Sequence, residues 1–288
     1  MTNLVTRVGA LPEEFHTMPD VQGYLRRMAA PLQEKLKMAY YIPENAKRGL
    51  DVGCADGTVT LAMAEMFPHI HFHGIDLKPE FIELAKKHAE ERGIKNVTFE
   101  CVYLRELLNR PVRYHFIGFY SVLHEFRSYG EGISSVTKAI NDAHELLETG
   151  GVLLIRDMIL RLFAKTSTLF VGKMREKIVA SEHCKPEILS DFVGRWGELD
   201  TLARVNHFLL KYMYEDNWKP ELEEDYIGTY TEDYERMFKM LGMRVEVEDS
   251  YALPFLANKW ATEFGFTPLE IAQLRSTTIL VVTKLPPE

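Results

Sequence analysis

One stretch constrains this chain more than any other: Leu50-Asp51-Val52-Gly53-Cys54-Ala55-Asp56-Gly57. An apolar run that ends in closely spaced small residues reads as a buried strand turning sharply into a helix. Glycines at such a turn let the backbone bend and let a ligand approach the main chain. A glycine turn alone is weak evidence. It gains weight from Gly74-Ile75-Asp76, which closes a second apolar run 25 residues after Asp51. An acid placed there can accept hydrogen bonds from a ribose diol. A dinucleotide-type GxGxxG register starting at Gly53 would need glycines at 55 and 58, where the chain carries Ala55 and Thr58. A lysine-bearing phosphate loop is also missing.

The surrounding pattern alternates strands with helices. Strands are expected at 49–53, 71–77, 96–102, 115–122 and 152–155, and again near 243–248 and 278–284. Helices are expected at 58–67, 78–92, 133–147 and 230–241. In the second of these, Pro79 suits the first turn, Phe81, Ala85 and Ala89 form an apolar stripe, and Gly93 stops the helix. Glu83 and Lys87 stand four apart and can pair. The alternation implies an α/β fold: a Rossmann-like, doubly wound, mostly parallel seven-stranded sheet with ligands at the carboxyl ends of its strands. Residues 1–45 read as an N-terminal helical segment broken at Pro31. Residues 46–158 and 229–288 read as the core. Residues 159–228 carry no strand signal and are too many for an ordinary βα connection. They read as a helical insertion capping the site, with helical stretches near 168–180 and 202–214.

LDVGCADG resembles the first motif of the class I S-adenosylmethionine (SAM)-dependent methyltransferases, an acid followed by alternating small residues. Here these are Asp51, Gly53, Ala55 and Gly57, with Ala55 in place of the usual middle glycine. The GID that ends in Asp76 resembles the family's ribose-binding acid. Residues 114–125, YHFIGFYSVLHE, resemble its fourth strand and turn, and residues 148–157, ETGGVLLIRD, its fifth. The resemblance covers 46–158 and the C-terminal strands. It implies SAM as cofactor and S-adenosylhomocysteine (SAH) as product. Gly53 and its turn, including Cys54, would face the methionine part, with Asp51 orienting it. Asp76 would bind the ribose, Leu77, Val102 and Tyr103 would lie near adenine, and Ser121 would line the cofactor. Many members place an acid after strand three to meet the adenine amine. Val102-Tyr103 stands there instead, so adenine contacts must be partly backbone or aromatic.

Methyl transfer needs an aligned acceptor and, for a neutral oxygen or nitrogen, removal of a proton. The candidate catalytic residues follow strands four and five. His124 can act as base, because imidazole titrates near neutrality, or it can merely open and cap the next helix. Glu125 can orient His124 or bind an amine. Arg156 can clamp a carboxylate or phosphate, or can form an internal ion pair with Asp157. His69, His71 and His73 share a strand face, but no carboxylate or cysteine stands at useful spacing, so no metal is expected. In the insertion, Tyr212, Tyr214, Asp216, Asn217 and Trp218, with His183, Cys184 and His207, suit three roles: gripping an organic acceptor, packing a core, or forming a homodimer interface.

A net charge of −8 argues against nucleic acid and anionic membranes as partners. The basic clusters, Arg26-Arg27 and Lys86-Lys87, are short. The three cysteines, Cys54, Cys101 and Cys184, make no CxxC pair, which points to a reducing compartment. With no apolar leader and no membrane-length apolar run, a cytoplasmic location is expected. The leading expectation is transfer of a methyl group from SAM to an oxygen, nitrogen or sulfur of a small molecule. The alternatives are an RNA or protein methyltransferase, and a SAM-binding protein that transfers no methyl group.

Overall fold

The computed structural model describes residues 32–287. Of the expected N-terminal segment, residues 1–31, with Pro31 and Arg26-Arg27, lie outside the described residues. The described part is a short helix, Leu32–Leu36, running into a 3-10 turn, Lys37–Tyr41.

Seven strands follow: β1 Arg48–Val52, β2 His71–Asp76, β3 Val97–Cys101, β4 Tyr114–Tyr120, β5 Leu147–Asp157, β6 Met243–Tyr251 and β7 Thr277–Lys284. They form one sheet in the order β3-β2-β1-β4-β5-β7-β6. β1 to β5 run parallel, and β7 is antiparallel to both β5 and β6. The order reverses between β1 and β4, which opens a crevice at their carboxyl ends.

Period-two alternation sends the apolar strand residues to two faces. Leu50, Val52, Ile117, Phe119, Leu153 and Ile155 pack with residues of the helices Ile133–Leu146 and Thr231–Met240. Phe72, Phe116, Leu154 and Val281 pack on the other face with Met38, Met63 and Ala64. A parallel sheet needs both faces covered, and truncating a fully buried leucine such as Leu154 to alanine costs about 2–5 kcal/mol.

Several expected boundaries shift for local reasons. The helix Pro79–Arg92 starts on its proline and ends at Gly93, φ 67°. Its charges pair as Lys86–Glu83 and Lys87–Glu91, so the expected Glu83–Lys87 pair does not form. β4 stops at Tyr120, leaving Ser121 and Val122 in the turn. β5 begins at Leu147, but its pairing with β4 skips to Val152 around Gly150. Only the regular part of β5 carries a legible strand pattern.

The insertion holds the helices Val171–Ala180, Pro186–Trp196, Leu202–Lys211 and Trp218–Glu223. Its two stems meet in an isolated bridge between Leu160 and Tyr230, where the Thr231 amide donates to the Leu160 carbonyl at 2.9 Å. It builds its own apolar cluster around Phe192, Phe208 and Leu209. A helix between β6 and β7, Pro254–Phe264, which carried no expectation, adds Leu256, Trp260 and Phe264 to that cluster. Asn206 ties this second segment down by exchanging hydrogen bonds with the Arg275 main chain at 2.7 and 2.8 Å. Among the described residues no helix is long and apolar enough to cross a membrane.

Candidate active site

The turn after β1 alternates three left-handed residues: Gly53 at φ 73°, Ala55 at φ 47° and Gly57 at φ 76°. A Cβ on Gly53 would sit 2.4 Å from Val122 Cγ2. Ala55 adopts the conformation the middle glycine would hold freely, at about 1–2 kcal/mol for an L-residue. The amides of Gly53 and Cys54 donate to the Ile75 carbonyl at 2.8 and 3.0 Å. The Asp76 carboxylate accepts from the amides of Ala55 and Lys78, both at 3.0 Å. The two sequence motifs therefore form one joint, in which the acid of the second closes the turn of the first. Burial raises Asp76 above the usual carboxylate range, with those N–H donors opposing it. Asp51 is buried beneath the turn and accepts from Thr60 Oγ1 at 2.5 Å. Burial pushes it up to about 6 against the pull of Thr60 and Lys35.

A cavity of about 150 Å³ opens beside this joint, lined by Gly53, Asp76, Leu77, Val102 and Tyr103 among others. These are five of the residues expected to hold the cofactor. A narrow recess lined by Lys35, Asp51, Gly53, Cys54, Ala55 and Asp56 adjoins it at Gly53. The site fits SAM: the Asp76 carboxylate stands at the cavity wall, Ile75, Leu77, Val102 and Leu104 make its sides apolar, and Gly53 lets the turn close on Val122, where a Cβ would clash. Tyr103 is half-exposed at the rim. Ser121 lies elsewhere: at φ 65°, it turns its hydroxyl to Arg156 and lines a second cavity.

That second cavity, about 500 Å³, lies under the insertion. Ser121, His124, Glu125 and Arg156 line it from the strand ends. Met213, Tyr214, Glu221, Glu224 and Tyr226 line it from the cap, and Leu253 and Leu256 from the later helical segment. Glu125 lines both cavities and joins them.

His124 opens the short helix Leu123–Ser128, and its ring is fixed from below by Asp157 at the end of β5. Nδ1 stands 2.7 Å from Asp157 Oδ1, and the His124 amide donates to Oδ2 at 3.2 Å. Nε2 is left facing the cap, 3.7 Å from Glu224 Oε2. Burial alone would press His124 down, but Asp157, then Glu224 and Glu125, hold it up at about 9. Burial would raise Asp157, yet the His124 charge and hydrogen bond, with the Met158 amide at 2.8 Å, keep it below the usual range. Burial raises both Glu125 and Glu224, helped by the Glu224 charge at Glu125 and by the Glu221 charge at Glu224. Asp157 thus pairs with His124 and not with Arg156, which excludes the internal Arg–Asp pair. Arg156 bonds the hydroxyls of Ser121 at 2.7 Å and Thr277 at 3.3 Å.

Of the aromatic candidates in the insertion, Tyr214 reaches the cavity. Tyr212 donates to Glu263 at 2.5 Å and Trp218 to Asp191 at 3.0 Å, both as parts of the cap core. The His207 ring packs on Phe192 and Trp196. Asp216 and His183 are exposed, while Asn217 and Cys184 are buried away from the cavity lining. His69 precedes β2. His71 Nε2 meets Thr98 Oγ1 at 3.1 Å and His73 Nδ1 meets Tyr114 OH at 2.8 Å. Among the described residues no group of three or more His, Cys, Asp or Glu could hold a metal ion. Lys35, Glu221, Glu224 and Tyr226 were not foreseen. Charged residues on helical segments read as a solvated face, and only the folding of the cap over the sheet turns these inward.

A family model described as a methyltransferase domain matches residues 43–225, more than half of the chain. A ubiquinone biosynthesis O-methyltransferase of Xylella fastidiosa (strain 9a5c) is 30% identical over 143 residues, covering 49% of this chain and 50% of the relative. The chain spans no more than about half the length of the first curated relatives it matches. Two solved structures share the fold. One is a plantazolicin methyltransferase in complex with SAH, with TM-score 0.51, 14% identity, and coverage of 96% of this chain and 95% of that one. The other is the cyclase SpnF, with TM-score 0.53, 16% identity, and coverage of 90% and 82%. With the methyltransferase-domain match laid over this sheet order and this glycine turn, the chain belongs to the class I SAM-dependent methyltransferases.

Proposed function

We propose that the protein transfers a methyl group from SAM to an oxygen, nitrogen or sulfur atom of a small organic acceptor held under the cap. The observation that carries this reading is the His124–Asp157 pair, whose outer ring nitrogen faces a cavity under the cap that shares Glu125 with the cofactor cavity. A concave, largely apolar chamber under a cap suits a small molecule better than a polymer. When bound, SAM supplies an electrophilic methyl on a sulfonium. The turn at Gly53 and the Asp51 recess would receive its methionine part, and Asp76 its ribose. His124 Nε2 would take the proton that the acceptor atom gives up on receiving that methyl, with SAH as the other product. Asp157 holds the ring in one tautomer and stabilises the imidazolium that results. The cap and the 254–264 helix exclude water from the chamber. The unbridged cysteines support a reducing, cytoplasmic setting.

The test is methyl-labelled SAM incubated with the protein and a cell extract, then fractionated by size. Label in the small-molecule fraction supports the reading. Label that nuclease or protease releases would replace it with RNA or protein methylation. Absence of label, with SAH binding intact, would favour a protein of this fold that transfers no methyl group.

A further inference from the structure

Three cations line the chamber under the cap: Lys259 is paired with Glu263, while Arg156 and Lys35 have little to balance them. Arg156 is 3% exposed and Lys35 4%. Both hydrogen-bonded partners of Arg156 are neutral hydroxyls, Ser121 and Thr277, and its Nε is buried with no hydrogen-bond partner. The nearest charges are committed elsewhere: Asp51, the first of the acids acting on Lys35, accepts from Thr60 Oγ1 at 2.5 Å. Asp157 is engaged by His124, and Glu34 accepts from Lys37 at 2.7 Å and from the Tyr251 hydroxyl at 3.2 Å. Among the described residues, no carboxylate lies within ion-pair distance of Arg156 or Lys35. Burial first, and the Arg156 charge second, bring Lys35 down to about 8. Lysine can relieve such crowding by shedding its proton, but a guanidinium cannot. An uncompensated buried ion is costly, so a counter-charge belongs here.

The acids of the same chamber make no matching demand for a cation. Glu224 accepts from Tyr129 OH at 2.8 Å and faces His124. Glu221 accepts from the Tyr226 hydroxyl and from Asn217. Glu125 is raised by burial and by Glu224, and a raised carboxyl neutralises itself by keeping its proton. Of the remaining walls, Leu210, Met213, Leu253 and Leu256 are apolar, and Ser276 and Tyr214 are polar.

We infer that the methyl acceptor is an apolar-bodied acid whose carboxylate is held by Arg156 and Lys35 while its nucleophilic atom meets His124. The inference rests on the methyl-transfer reading for the role of the chamber, but the anion site can be measured without turnover. The probes are benzoate and benzamide, of one shape and different charge, titrated into SAH-saturated protein by calorimetry. Benzoate binds at least about tenfold more tightly than benzamide, the ratio expected for one charge-assisted hydrogen bond. Arg156→Gln brings the ratio toward one while the Kd for SAH stays within about twofold of wild type, and Lys35→Met also brings the ratio toward one. Equal binding of the two probes by the wild-type protein overturns the inference, and needs no variant to fold. So does discrimination that survives both substitutions. A loss of SAH affinity in Arg156→Gln in step with benzoate affinity also overturns it, by assigning Arg156 to the cofactor's own carboxylate. Failure of wild-type protein to bind SAH would instead sink the underlying methyltransferase reading.

Discussion

Asp157→Asn keeps the shape of the side chain beneath His124 and removes its charge. In the folded protein Asp157, Glu224 and Glu125 hold His124 at about 9, against an ordinary value of 6.5, although burial opposes them. A folded-state value raised above the unfolded one contributes stability that is fully present below pH 6.5 and is lost as pH rises through 9. The difference corresponds to about 3 kcal/mol at pH 6, falling to about 0.4 kcal/mol at pH 9. The imidazole and carboxylate are both buried, with side-chain exposures of 8% and 3%, so solvent screening reduces this little. In the variant the main source of the shift is gone, and burial keeps the ring neutral. Denaturant unfolding of wild type and Asp157→Asn should therefore differ by about 3 kcal/mol at pH 6 and by less than about 1 kcal/mol at pH 9 to 9.5. Comparing the two proteins at each pH cancels the titration of groups that neither Asp157 nor His124 touches. A difference that stays constant across this window would refute the argument, because it would locate the role of Asp157 in packing or in its amide contacts.

Asp76→Ala should weaken SAH binding by at least tenfold in calorimetry, since it removes the expected ribose acceptor and frees the Ala55 amide; a loss under about 1 kcal/mol would contradict the assignment. His124→Ala should lower turnover by about 10²- to 10⁴-fold with the SAH Kd little changed, and wild-type activity should climb from pH 7 toward 9 as the ring becomes neutral; unchanged turnover would remove His124 from proton transfer. Ala55→Gly should stabilise the fold by about 0.5–1 kcal/mol in thermal unfolding, because relief of the left-handed alanine at φ 47° exceeds the added unfolded-state entropy. A fall in melting temperature would show that the Ala55 methyl packs usefully.

The core of the fold was legible because its signals are local. Strand and helix periods, Pro79 at a helix start and Gly93 at its stop follow from steric and hydrogen-bonding rules that act within a few residues. The cofactor joint was legible for the same reason: the alternation Gly53, Ala55, Gly57 demands left-handed backbone, and Asp76 must sit at a strand end. His124 and Asp157 were singled out by their places after β4 and β5, but their partnership was not, because 33 residues separate them and Arg156 stood closer to Asp157 in the chain.

What the amino-acid order determined by itself was therefore the parallel sheet, its glycine turn and the acid that closes it. The tertiary structure alone decided that Lys35, Arg156, Glu221, Glu224 and Tyr226 share one chamber. It also decided that the helix Pro254–Phe264, remote in sequence, completes the cap. Backbone conformation is set by neighbours along the chain. Whether a charged side chain faces water or a cavity is set by which distant segment packs above it.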